Sequence, residues 1–380
     1  MRFRFFLFII LSVVINADIT DINMATPIRQ GVHIEWYRTV CPGNDGSAIF
    51  VWSDTRYGMR NVFAQKVDKH GNYAWGDDLS GAVITDLPGR QEDPVAIEDG
   101  SGGAFIAWVD YRFDDSGDIF IQHVDDSGRV LMDSNGVALA QQIGQQISIN
   151  MSTDSLGGVF VTWQDKRGGV DDDIYGTHVD ADHNIVSPGS GVSIVSEGGT
   201  QSAKSIEYAG NNEAFVCWSD ARLGENIDIY GQRLDTSMQP VFQENGIPIA
   251  NTSGLETRPR TTFVNNTTSF VTWKSGDENA RILYQFVDHT GLVFGDAKSV
   301  ADFDAIQTAP RVKRSNSGEV FVQWKDLRFD AVDGDIFMQK IDSNGDVLWS
   351  NGVQVDPSDG VNFSGRFSAN NTGGFNIFWE

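Results

Sequence analysis

Apolar and polar residues alternate with a period of two along most of the chain, interrupted at short intervals by glycine, asparagine and aspartate. That pattern predicts strands joined by tight turns. It is clearest in GGAFIAWVDYRFDDSGDIFIQHVD, residues 102–125. Here it predicts a strand ending near Trp108, a tight connection carrying Asp110 and Arg112, and a second strand opening at Asp118. Phe120, Gln122 and Val124 fall on one face of that second strand, and Ile119, Ile121 and His123 on the other. Strands at 94–99 and 130–139 complete a four-stranded unit. Asp99-Gly100, Asp126-Ser127-Gly128 and Asn135-Gly136 supply the residues that tolerate positive φ in its turns.

The unit recurs. Variants surround Trp52, Trp108, Trp163, Trp218, Trp273, Trp324 and Trp379, at intervals of 56, 55, 55, 55, 51 and 55 residues. Near-constant spacing means one supersecondary unit used repeatedly. A four-stranded meander cannot bury both faces alone, and radial repetition about an axis solves that problem. The expected fold is all-β: a β-propeller of four-stranded antiparallel blades, with six full repeats and a partial seventh, hence seven blades. Residues 18–32 could add one outer strand to close the ring. The chain stops at Glu380, where other units continue into Asp-x-Arg, so a longer natural chain is expected.

Residues 1–17 stand outside the pattern. Arg2 and Arg4, an apolar run from Phe5 to Ile15, and Ala17 have the layout of a secretory signal peptide. The run is shorter than the roughly 20 residues of a membrane-spanning helix. The expectation is therefore a single domain over 18–380, secreted or at the cell surface, with the periplasm as an alternative and no membrane span. Loss of Arg2 and Arg4 would take the formal charge of −24 to −26. So acidic a surface disfavours nucleic acid and anionic membranes as partners. Cys41 and Cys217 make no disulfide framework, and Cys217 shares its repeat position with Ala107, Thr162 and Thr272.

The charges repeat as well. Asp54/Arg56, Asp110/Arg112, Asp165/Arg167, Asp220/Arg222 and Asp326/Arg328 follow their tryptophans at two and four residues. Asp118, Asp173, Asp228 and Asp335 open the next strand. The fifth unit, WKSGDENARILY, has Ser275 for the first acid, Asp277 for the arginine and Arg281 near the strand-opening acid. A reciprocal exchange of sign suits a structural ion pair closing the hairpin, with the first Asp capping the turn. These residues are expected to be structural, each pair exposed at its hairpin. Asp114, Asp115, Asp171, Asp172, Asp330 and Asp333 cluster in the hairpin loops as weak candidates for calcium. None has the EF-hand spacing, so solvated turn acids are the preferred reading and no cofactor is expected. His123 and His178 share a position with Lys66, Arg233 and Lys340, which reads as a solvated strand face.

The run of Asp-Gly, apolar strand, Trp-x-Asp-x-Arg and Asp-Ile-Tyr or Asp-Ile-Phe resembles the WD40-like repeats of TolB-type propellers over residues 33–380. Its longer form is similar to repeats in secreted bacterial surface proteins, many of them type IX secretion substrates. The resemblance implies extracellular or periplasmic protein binding without catalysis. No Ser-x-Asp-x-Gly-x-Thr-Trp box of sialidases is present, and no unit stands out with unrepeated acids, tyrosine or histidine. The function expected is a non-enzymatic surface or envelope module that binds or scaffolds protein or glycan. The alternatives are a sialidase- or glycosidase-type hydrolase and a repeat segment of a larger adhesin.

Overall fold

The structure is a computed structural model, described here for residues 35–43, 45–75, 80–224, 226–330, 332, 334–355, 366–369 and 375–378. The expected leader at 1–17, the strand expected within 18–32, Trp379 and Asp333 lie outside the described residues. All regular structure among them is strand. Six four-stranded antiparallel sheets follow one another along the chain, spanning 35–83, 91–140, 146–195, 201–250, 256–299 and 307–354. In each, the strands pair in chain order, so every sheet is a simple meander. A two-stranded sheet, Arg366–Ala369 with Phe375–Phe378, comes after them and gives no support to a seventh blade. No helix among the described residues is long and apolar enough to cross a membrane.

The chain divides into two compact units, one holding the first three sheets with Thr236–Met238 and the other holding Glu197–Asp235 and the chain from Gln239. Within the first, the second sheet shows what the alternation achieves. Its middle strands, Ala104–Asp110 and Asp118–Val124, are buried at every residue. Ile106, Trp108, Phe120 and Val124 pack with Ile49, Val51, Val62 and Ala64 of the first sheet. Phe105, Ala107, Val109, Ile119 and Ile121 face the other way, onto Ile149, Val159, Val161 and Trp163 of the third. The strands are therefore buried on both faces rather than half-buried, and the period of two sorts side chains between two cores. The second unit repeats the arrangement, with Phe270, Ile282 and Tyr284 packed against Val312, Val322 and Trp324.

In five of the six sheets the repeat tryptophan heads a clamp. The Trp108 indole N–H donates to Asp110 Oδ2 at 2.8 Å, and Asp110 Oδ1 accepts the backbone N–H of Arg112 at 2.9 Å. The Arg112 guanidinium returns to Asp110 at 2.5 Å, lies 4.1 Å over the Phe120 ring, and donates to the Asn135 carbonyl at 2.9 Å. Gly136 follows at φ +80°, and a Cβ there would come within 2.3 Å of Trp108 Cη2. Trp-x-Asp-x-Arg and the distant Asn-Gly are thus one device: the indole needs the glycine, and the guanidinium needs the carbonyl before it. The same contacts recur at Trp52/Asp54/Arg56/Gly81, Trp163/Asp165/Arg167/Gly191, Trp218/Asp220/Arg222/Gly246 and Trp324/Asp326/Arg328/Gly352. Burial pushes the carboxyls of Asp54 and Asp326 up, but the hydrogen bonds from arginine and tryptophan outweigh it and hold both below the usual carboxylate range.

The fifth sheet solves the same problem differently. Trp273 donates to Glu256 Oε2 at 2.5 Å, and Glu256 Oε1 accepts from the Ser275 hydroxyl at 3.1 Å. Glu256 pairs with Ser275 across the strands, where the second, third, fourth and sixth sheets pair Gln91 with Asp110, Gln146 with Asp165, Gln201 with Asp220 and Gln307 with Asp326. The carboxylate has moved across the ladder from second strand to first. The expected exchange between Asp277 and Arg281 is not what compensates. Arg281 pairs with Asp304 at 2.6 Å, and Asp277 lies 3.4 Å from Lys274. Arg281 opens its strand opposite Ser275, turned toward the loop that follows the fourth strand. Glu256→Met, which keeps the volume and removes the acceptor, should cost about 1–3 kcal/mol by stranding the buried indole N–H. Adding Ser275→Asp should restore much of it in urea denaturation. Equal stability of the single and double variants would refute this compensation.

Candidate functional site

The predicted charged residues line one end of the sheets, at the hairpin between second and third strands. The expectation that each arginine closes the hairpin onto the acid opening the next strand is corrected in the four units that have such an acid, and the first unit follows the same rule. Arg56 is held instead by Asp54, with Nε 3.0 Å from Oδ1 and Nη2 2.7 Å from Oδ2, and its third strand opens with Asn61 rather than an acid. Arg167 grips Asp165 through the same two nitrogens at 2.9 and 2.6 Å. Arg328 grips Asp326 at 2.9 and 2.7 Å. Arg112 and Arg222 reach Asp110 and Asp220 through Nη2 at 2.5 and 2.6 Å.

Nor are these arginines exposed hairpin charges. Arg56, Arg112, Arg167, Arg222 and Arg328 are all half-buried, and the carboxylates they meet are buried. The physical reason is a three-way fit. The planar guanidinium matches both carboxylate oxygens in Arg56, Arg167 and Arg328 and one of them in Arg112 and Arg222, and its face rests on an aromatic ring of the third strand. Arg56 lies 3.7 Å over Phe63, Arg167 3.9 Å over Tyr175, Arg222 4.0 Å over Tyr230 and Arg328 4.1 Å over Phe337. A remaining N–H of each donates to a carbonyl, at Ser80, Ser190, Asn245 and Asn351 respectively. The acid that opens the next strand offers none of this.

Asp118, Asp173, Asp228 and Asp335 stand directly opposite Asp110, Asp165, Asp220 and Asp326 in register. Burial, then Asp114 and Asp110, push the Asp118 carboxyl up to about 6, and burial likewise raises Asp173 and Asp228. A raised carboxyl recurring in register in three sheets is a property of the repeat, so it marks architecture before chemistry.

The loop acids serve the turns. Asp114 accepts the N–H groups of Ser116 and Gly117, and hydrogen bonds from Ser116 lower its pKa. Asp330 accepts from Val332, Asp172 lies 3.7 Å from Lys166, and Asp115 and Asp171 are exposed. Among the described residues no group of three or more histidine, cysteine, aspartate or glutamate side chains is placed to hold a metal ion. Cys41 and Cys217 are buried free thiols, pushed up to about 12 by desolvation.

At the opposite end of the strands the structure corrects the reading of a solvated face. Lys66, His123, His178 and Arg233 are all buried, and Lys340 is half-buried. Each meets an acid: Lys66 meets Asp126 at 2.5 Å, His123 Asp99 at 2.9 Å, His178 Asp154 at 2.9 Å, Arg233 Glu213, and Lys340 Glu319 at 2.8 Å. Polar character at that position reported charge, and pairing made burial tolerable.

The fifth sheet departs here too, and a cleft of about 210 Å³ opens in the second unit. Tyr284, Gln285, Phe286, Phe294, Gly295 and Lys298 form its walls with Asp296 and Asn344. Three departures from the repeat make it. Phe286 replaces the basic residue. Gly295, at φ +60°, stands where the first and fourth sheets place Trp75 and Phe242. Those rings cover a glycine of the next hairpin: a Cβ on Gly128 would meet Trp75 at 2.7 Å, and one on Gly291 would meet Phe242 at 3.3 Å. The equivalent Gly345 is met instead by Phe286, at 2.7 Å. Finally, Ala297 replaces the clamp glycine before the fourth strand. The rings are fixed: Phe270 stacks on Tyr284 with centroids 5.2 Å apart, and Phe286 stands edge-on to both. Tyr284 Oη donates to the Gly345 carbonyl at 3.0 Å, and burial with the nearby Asp346 and Asp342 pushes its hydroxyl up to about 12. It is therefore a fixed donor at neutral pH. Lys298 Nζ donates to the same carbonyl at 2.8 Å and lies 3.7 Å from Asp346. Aromatic faces with a few polar groups at the rim suit a small polar ligand. The sequence carried the signal as several simultaneous departures in one unit, which the expectation of a charge exchange obscured.

No protein-family model matches the chain, and no curated protein does. Solved structures do. BP39L lectin from Burkholderia pseudomallei superposes with a TM-score of 0.53 at 10% identity, covering 83% of each chain. A PL25 ulvan lyase bound to a GlcA–Rha3S saccharide also scores 0.53 at 10% identity, covering 87% of this chain and 84% of its own. The Aleuria aurantia lectin, a six-bladed β-propeller, scores 0.44 at 10% identity, covering 85% of this chain and 97% of its own. At such identities the first two likenesses concern the fold alone.

The raised Asp118 gives a pH prediction. Its folded value of about 6 lies above the ordinary 3.8, so the folded chain holds the proton more tightly than the unfolded one. The stability it contributes is full below about pH 4 and is lost as pH rises through 6. Asp118→Asn should raise the melting temperature at pH 7–8 and leave it nearly unchanged at pH 4, read by calorimetry. A gain of equal size at both pH values would contradict the assignment.

Proposed function

We propose that this protein is a secreted, non-enzymatic β-propeller of six blades, and that it binds a glycan in the cleft of the fifth and sixth sheets. The repeated four-stranded meanders and the fold likeness to a lectin and a polysaccharide lyase support the propeller. The N-terminal pattern at 1–17 supports export, and the Trp-x-Asp-x-Arg units support kinship with TolB-type repeats. The observation that carries the binding role is the cleft itself, which opens where the repeat breaks. Apolar ring faces at Phe286 and Phe294 suit the C–H faces of a sugar, and Lys298, Asn344 and Asp296 suit its hydroxyls. A volume of about 210 Å³ favours one ring of a chain over an extended saccharide. Asp296 is the one carboxylate among the lining residues. Glycoside hydrolysis of the common kinds requires two, so binding is favoured over cleavage.

Glycan-array screening of the mature chain, followed by calorimetric titration of the best ligand, tests this. Phe294→Ala and Lys298→Ala, both at exposed side chains, should each weaken binding at least about tenfold, near 1.4 kcal/mol. Val332→Ala, on an exposed hairpin loop, should leave it unchanged. Retained affinity in both cleft variants would remove the cleft from consideration, and turnover of the ligand would replace binding with catalysis.

A further inference from the structure

A pair of histidines in the first unit joins its second and third sheets. His123 Nδ1 and His183 Nε2 lie 2.8 Å apart, and His123 Nε2 lies 2.9 Å from Asp99 Oδ2. An ionised carboxylate only accepts, so Asp99 fixes the His123 proton on Nε2 and leaves Nδ1 as an acceptor. His183 must then donate its Nε2–H across the boundary. His123 is stacked on Phe105 with ring centroids 4.0 Å apart, so it has little room to turn. His183 sits at φ +66° in the hairpin after the third strand, where Asp180 accepts the N–H groups of Asp182 and Asn184.

We propose that His123 and His183 form an acid-released latch between the second and third sheets. One added proton leaves the contact intact, because either ring can carry it and donate to the other. A second proton sets N–H against N–H at a separation that cannot hold both. The hairpin bearing His183 then has to move away, since His123 is held by Asp99 and Phe105. The charged groups facing the pair are Asp99 on the turn before the second strand, and Asp180 and Asp182 on the hairpin. His178 in turn acts on Asp180. Burial, followed by the His123 charge, lowers the pKa of His183, against the pull of the two aspartates. The unfolded chain therefore takes up more protons, and the latch contributes stability above the ordinary histidine range and loses it as pH falls.

Hydrogen exchange of the full chain, followed by mass spectrometry and corrected for intrinsic rates, reads the hairpin directly. Protection over 180–186 should fall about tenfold between pH 7.5 and 4.5. In His183→Gln, whose amide still donates to Nδ1 but does not titrate, protection should stay nearly constant. An equal fall in both proteins, or none in the native chain, would overturn the latch. Histidine NMR titration gives a second reading on the unmodified protein. His183 should take up its proton below the ordinary histidine range, and a midpoint within or above that range would also overturn it.

Discussion

Everything in this fold depends on satisfying one buried carboxylate per sheet. A tryptophan at the end of the second strand fills the space between neighbouring sheets, but its indole N–H must find an acceptor there. The aspartate two residues later accepts it, and burial of that charge is tolerable because the arginine two residues further on answers it. The arginine in turn lies on an aromatic ring of the third strand and reaches a carbonyl beside a glycine that only a hydrogen side chain allows. The second, third and fourth strands are thereby tied by one charge. Removal of any member leaves another unpaired in a low-dielectric setting, which costs more than the net value of the contact made.

The fifth sheet shows how far this requirement can be bent. With Ser275 in place of the aspartate, the carboxylate comes from Glu256 on the adjacent strand, and the indole is still satisfied. Without the arginine there is no demand for a carbonyl beside a glycine, and Ala297 stands there. Phe286 and Gly295 then change the packing toward the sixth sheet, and space opens among fixed aromatic rings. A cleft in a repeated scaffold costs stability wherever it interrupts the repeat. Here the interruption is concentrated in one sheet, so the neighbouring sheets keep their clamps.

The basic end of the strands illustrates a second consequence of repetition. Lysine, arginine and histidine occupy one column, and each is buried or half-buried beside an acid from the turn before the second strand, from that strand's first residue or from the next hairpin. Lysine and arginine keep their charge at any physiological pH, so their pairs are permanent. Histidine does not. Substituting it into this column makes the boundary between two sheets answerable to protons without altering the architecture.

The sequence by itself determined the strands, their order and the repeat, because these follow from local periodicity and turn chemistry. The second-sheet strands expected at 102–110 and 118–125 form at Ala104–Asp110 and Asp118–Val124. It also singled out the Trp-x-Asp-x-Arg residues as belonging together. Only the tertiary structure decided the partners. Arg112 and Asp118 are near in sequence and opposite in charge, yet the guanidinium is drawn to Asp110 by the geometry of the indole, the Phe120 ring and a carbonyl 23 residues away. Arg56, Arg167 and Arg328 turn back onto Asp54, Asp165 and Asp326 for the same reason. His123 looked solvated because a polar residue on a strand usually is, and its burial depends on a third-sheet histidine 60 residues distant. The cleft is the same case: Gly295 leaves a space only because the next hairpin lies where Trp75 and Phe242 cover its counterparts elsewhere. Periodicity is a local property that a chain carries in its residues, whereas burial, pairing and empty volume belong to surfaces that exist only after distant segments meet.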